Sequence, residues 1–151
     1  MKAFDYYIFI DYSENLLGYM IIENNKLKVL LPKLSRFRHY REARDRKLYL
    51  KNIKNTISRE KIKEDILKLK INKVINSPEI YADIAFFLKK NHNCIIFISI
   101  DDKQYSNFER FVEVIDGKDT KIVKESELKE GSLEYRLSLI LDSLLNIERS
   151  K

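Results

Sequence analysis

One cysteine, three glycines, two prolines and no tryptophan are spread over 151 residues, and each scarcity rules something out. The lone Cys94 excludes a disulfide framework and fits a reducing, cytoplasmic setting. It opens an apolar run with no base beside it in sequence, so it reads as core. With glycines only at 18, 117 and 131 there is no glycine-rich loop to cradle a nucleotide phosphate, and no Gly-x-Ser-x-Gly elbow. His39 and His92 are far apart and lack ligand spacing, so both read as surface residues rather than zinc ligands. No apolar stretch approaches the ~20 residues of a membrane span, and Met1 to Asp5 leads into an acidic strand end rather than a signal sequence. Glutamine occurs once while charged residues make up 34%, a balance common in thermophile proteins. The length suits one domain, 1–151, able to bury roughly 70% of its unfolded surface without staples.

What the chain has in excess is positive charge, in one place. The net charge is +6, yet residues 33–70 alone hold fourteen Lys or Arg against five acids, so the remainder is acidic on balance. This segment opens SRFRHYREARDRK, with Arg36, Arg38, Arg41, Arg44, Arg46 and Lys47 interleaved with Phe37, His39 and Tyr40. Ser35 is placed to cap, and Ala43, Leu50, Ile53 and Ile57 recur at helical spacing, which predicts a basic helix over 35–57 and a second over 58–69. Guanidiniums with aromatic neighbours suit contact with nucleic-acid phosphates, a protein partner or another anion; the bland alternative is a solvated face in a lysine-rich chain.

The first thirty-one residues predict three strands. Phe4 to Ile10 is aromatic and β-branched, suiting a strand buried on both faces. Asp11 ends that run. Leu16 to Ile22 follows a short polar turn, and Leu27 to Leu31 follows another, closed by Pro32. Connections this short require an antiparallel meander, because parallel neighbours need a crossover. Beyond Lys70 the pattern alternates: a strand at 73–76, a helix from Ser77-Pro78-Glu79 to Lys90, a strand at 94–100 ending in Asp101-Asp102, a helix at 105–115 stopped by Asp116-Gly117, a short strand at 120–124, and a helix at 132–148 whose core stripe is Leu133, Leu137, Ile140, Leu141 and Leu144.

The stretch IFIDYSENLLGYMIIENNKLKVL, a strand ending in Asp11 followed by Gly18-Tyr19 in the next strand, resembles the opening of the RuvC-type resolvases and, more broadly, of the ribonuclease H-like superfamily. Tyr12-Ser13 stands where family members usually carry a small or Pro-Gly pair. The resemblance implies an α/β fold with a mixed five-stranded sheet flanked by helices, and a metal-dependent nuclease or resolvase using Mg²⁺ or Mn²⁺. A catalytically silent relative that binds nucleic acid or a protein through the basic helix is the alternative. It implies Asp11 as a metal ligand, joined where the first and fourth strands meet by Glu79 and by an acid of the last helix. LDSLLN at Leu141 to Asn146 is similar to the acid-bearing terminal helix of the resolvases and points to Asp142, with Glu134 as the other choice. Several carboxylates must converge to hold two cations about 4 Å apart. Each also has a structural role open to it: Asp11 as a turn residue, Glu79 complementing a helix dipole, Asp142 facing water, and Asp101 or Asp102 capping a helix or joining a metal.

Overall fold

The computed structural model describes residues 4–116 and 120–151; Met1 to Ala3, the expected helix stop at Gly117 and the side chains of Asp102, Lys103 and Asp116 lie outside what it describes. Five strands form one sheet: β1 (Tyr6–Ser13), β2 (Leu16–Glu23), β3 (Lys68–Lys73), β4 (Cys94–Ile98) and β5 (Lys121–Lys124). Their order is β3-β2-β1-β4-β5. β1 is antiparallel to β2 and β2 to β3, whereas β1, β4 and β5 run parallel. The helices are α1 (Leu27–Leu30), α2 (Arg46–Arg59), α3 (Ser77–Lys90), α4 (Asp102–Asp116) and α5 (Leu133–Arg149).

The sheet is the expected mixed one, but its third antiparallel strand comes from elsewhere. Residues 27–31, expected as a strand, are wound into a turn of helix flanked by 3-10 turns. Leu27, Leu30 and Leu34 are all buried, a three-and-four spacing that a strand would split between two faces. Pro32 opens a 3-10 turn instead of closing a ladder. The third strand is KLKINK, 68–73, whose Leu69 and Ile71 alternate with polar residues in the period of a strand. The expected helix at 58–69 and strand at 73–76 give way accordingly to a 3-10 turn at Ile62–Asp65, to β3, and to another 3-10 turn at Val74–Asn76.

The basic helix also starts later than its composition predicts. Asp45, not Ser35, caps it, accepting the Leu48 amide at 3.0 Å. Before it, residues 35–45 run as a strap with one 3-10 turn at Tyr40–Glu42. Phe37 of this strap is drawn into the core.

Two apolar layers sandwich the sheet. On one side Tyr7, Phe9, Met20, Ile22, Ile95 and Phe97 meet Leu137, Ile140, Leu141 and Leu144 of α5, with Ile53 and Ile57 of α2 outside it. On the other, Ile8, Ile10, Tyr19, Ile21, Ile96 and Ile98 meet Ile80, Ile84 and Leu88 of α3 and Phe108 and Val112 of α4. Gly18 lets α5 approach closely, because a Cβ there would lie 3.1 Å from Ile71, 3.2 Å from Leu145 and 3.3 Å from Leu141. α5 therefore lies between the sheet and α2, and every residue from Leu137 to Asn146 is buried, Asp142 included. The expectation that Asp142 faces water fails because the strap lies over it.

Candidate active site

Strand register assembles the site. Ile10 pairs with Ile98, and Ile98 with Lys124, so the next residues, Asp11, Ser99 and Glu125, continue one row across the carboxyl ends of three parallel strands. Alternation sends Asp11 to the α5 side, with Phe9, Phe97 and Val123 two residues behind the three. Asp142 hangs over this row from α5. Together they line a polar pocket of about 230 Å³ with Tyr12, Ser13, His39, Tyr40, Asn146 and three arginines, Arg41, Arg46 and Arg149.

Its carboxyls are held against their preference for charge. Burial, then Glu125, then Asp142 push Asp11 well above the ordinary carboxylate range, against the Tyr12 amide, which donates to Oδ1 at 2.8 Å, and the Ser99 hydroxyl. Glu125 is raised by burial and by Asp142, opposed by hydroxyls of Ser99 and Ser138 and by His39. Ser99 favours ionisation of both neighbours but has a single proton to donate. Asp142 is raised by burial and relieved by the Tyr40 amide, His39 and Arg41. That amide donates to Asp142 Oδ2 at 2.8 Å, and His39 Nε2 stands 3.6 Å from Oδ1.

The same bond ties the basic strap to α5. Tyr49 reinforces it: its hydroxyl accepts the Arg38 amide and donates to the Arg38 carbonyl, both at 2.8 Å, leaving Ser143 as donor to it at 2.9 Å. The Arg46 and Arg149 guanidiniums lie 5.4 and 5.5 Å from the centre of the Tyr40 ring, close enough for cation–π attraction. Arg149 is further held by Ser13 and Asn146. Arg41 and Arg46 thus reach the pocket, while Arg36, Arg38, Arg44 and Lys47 are exposed residues that do not line it.

Of the expected acids, the structure brings Asp11 and Asp142 together and leaves Glu79 out. The parallel neighbour of β1 is β4, not a strand at 73–76, and α3 lies on the other side of the sheet. There Glu79 is exposed and bound to Lys70 and Asn72, while Asp83 accepts from Lys70 and Tyr19, each at 3.1 Å. Asp101 caps α4, accepting the Gln104 amide at 2.8 Å, and Glu134 does not line the pocket. Glu125, the third acid, is one that sequence reasoning missed; its signal is its place directly after a β-branched strand, the place Asp11 marks near the end of β1. His39, expected at the surface, lines the pocket.

Hard oxygen donors are what a Mg²⁺ or Mn²⁺ ion takes; of the four acids lining the pocket Asp11, Glu125 and Asp142 fit it in kind, while Glu14 is paired with Arg149 at 3.4 Å. Among the described residues no three His, Cys, Asp or Glu side chains are grouped closely enough to hold one as they stand. None of the described helices is long and apolar enough to cross a membrane.

No protein-family model matches the chain, and no curated protein matches it. Among solved structures, a chain of the complex of PCNA with RNase HII from Archaeoglobus fulgidus is similar, with a TM-score of 0.52 and 14% identity over 95% of this chain and 71% of that one. At that identity the likeness concerns fold alone: the chain has a ribonuclease H-like α/β layout.

Proposed function

We propose that the chain is a metal-dependent nuclease or resolvase of the ribonuclease H-like superfamily, acting in the cytoplasm on nucleic acid. The observation that carries this reading is the row Asp11-Ser99-Glu125 under Asp142, set within reach of Arg41, Arg46 and Arg149. Asp11, Glu125 and Asp142 would hold Mg²⁺ or Mn²⁺, which supplies Lewis acidity toward a phosphodiester and the attacking water. The arginines balance phosphate charge and hold a strand over the acids, which would otherwise repel it. Ser99, between Asp11 and Glu125 in the row, favours the charged form of each. His39 brings an imidazole into the pocket, able to carry a proton to the leaving oxygen.

The test is cleavage of end-labelled four-way junction, RNA/DNA hybrid and single-stranded substrates with Mg²⁺ or Mn²⁺, by the wild type and Asp11→Asn. Cation-dependent cleavage lost in the variant is expected. Cleavage indifferent to Asp11 overturns the assignment. A silent binding module is the second reading, favoured by the engagement of Asp142 with the Tyr40 amide. Salt-sensitive binding with no cleavage of any substrate would establish it. In that case the binding surface is the strap and the start of α2, not a continuous basic helix.

A further inference from the structure

Across the sheet edge from the acid pocket lies a second recess, of about 270 Å³, lined by Tyr12, Tyr81, Gln104, Asn107, Phe108 and Phe111. Tyr12 borders both. Strand alternation explains the arrangement: Asp11 points to the α5 side, and Tyr12, one residue and about 3.8 Å further along, points to the α3 and α4 side. The Tyr12 and Tyr81 hydroxyls are hydrogen-bonded to each other, which fixes the shared wall. Tyr81, Phe108 and Phe111 form a cluster with ring centroids 5.8 to 6.2 Å apart. At the rim, the side-chain amides of Gln104 and Asn107 are exposed and make no hydrogen bond among the described residues.

None of the described residues that line this recess carries a formal charge. Its ligand is therefore neutral, has an aromatic or flat apolar body, and carries donors and acceptors on its edge for two amides. Nucleobases have that chemistry, and in a nucleic-acid strand each is joined through its sugar to a phosphate, the group that Arg41, Arg46 and Arg149 suit on the other side of Tyr12. We propose that the recess is a nucleobase subsite, receiving one unpaired base of a strand whose backbone lies over the acid pocket. This rests on the nucleic-acid reading above and deepens it, since it makes the ligand a strand with at least one unstacked base. A continuous duplex would have to give up stacking to enter.

The experiment is binding by the full chain in EDTA, where cleavage is off. The probes are a single-stranded oligonucleotide carrying one 2-aminopurine and its match with an abasic site at that position. A stacked base contributes enough for the abasic probe to bind on the order of tenfold more weakly, and 2-aminopurine fluorescence should fall on binding. Phe111→Leu should remove most of that difference. Because a ring replacement can disturb packing, Gln104→Ala with Asn107→Ala, both exposed, provides the second variant and should change the preference among A, C, G and T probes. Equal affinity for base-bearing and abasic probes, or no binding of either, overturns the subsite. So does a dimer in sedimentation that Phe111→Glu dissociates, which would show a second copy covering the recess. Failure of the nuclease reading looks different: base-dependent binding would stand while cleavage ignored Asp11 or never occurred.

Discussion

Asp11 and Glu125 stand two strands apart in one row of the sheet, with Ser99 between them, and its hydroxyl favours the charged form of each. They are held near each other by backbone pairing that does not care whether they are charged.

The electrostatic cost should appear as pH dependence. Asp11 is raised in the folded state, so the folded protein binds protons that the unfolded one has released. The stability contributed by its protonated form is fully present below the unfolded value of about 4 and is lost as pH rises through the folded one. Asp11→Asn keeps an acceptor for the Tyr12 amide and removes the charge. Its urea midpoint without divalent cations should match wild type near pH 4 and exceed it increasingly toward pH 8. A constant offset across that range would contradict the repulsion.

Glu125 and Glu79 are separable by cation binding. Ligand that binds only the folded state raises Tm, so millimolar Mn²⁺ should raise the Tm of wild type and of Glu79→Gln alike and leave Glu125→Gln unmoved. Thermal melts of the three proteins decide between the acid the structure selects and the one the sequence pattern selects.

The arginines of the strap should differ in what they do for binding. Arg41→Gln with Arg46→Gln should lower the slope of log affinity against log salt on duplex DNA by up to about 0.9 for each phosphate no longer neutralised. Arg36→Gln with Arg44→Gln, away from the pocket, should lower it less. Equal slopes for both pairs would detach the pocket from the nucleic-acid interface.

Asp142 has a structural duty as well. Asp142→Ala strands the Tyr40 amide and should destabilise by about 1–3 kcal/mol. It should also free the strap, so that brief trypsin treatment cuts after Arg38, Arg41 or Arg44 sooner than in wild type. Asp142→Asn keeps an acceptor and should resist as wild type does, while abolishing the Mn²⁺ effect on Tm.

How far the sequence reveals this depends on what each residue's environment is made of. β1, β2, β4, β5 and α3 to α5 are legible because their apolar spacing and caps act locally, and Asp11 is legible because a charge interrupts an apolar strand. Leu27 to Leu31 mislead because five residues of Leu, Lys and Val satisfy either period, and the deciding neighbour is Leu34 further on. β3 is hidden in a lysine-rich stretch since it is an edge strand with one polar side. Glu125 joins Asp11 only through two registers that are fixed across distant segments, and no local signal states a register. His39 is unreadable for a similar reason, as its place depends on a strap held by α5.

Both neighbours of β1 are hydrogen-bonded to it, so it cannot slide in the sheet. Which chemistry faces which side is then a matter of odd and even. With the count as it stands, an acid is delivered to α5 and a phenol to α4. One residue inserted before Asp11 inside β1, with its pairing kept, would exchange the two, putting a carboxylate among aromatic rings and a tyrosine among arginines. A two-residue insertion would restore the assignment while moving the acid off the row it shares with Ser99 and Glu125. Length change in this strand is therefore penalised at every step, whereas the turn at Glu14-Asn15 and the segment at 24–26 lie outside the count.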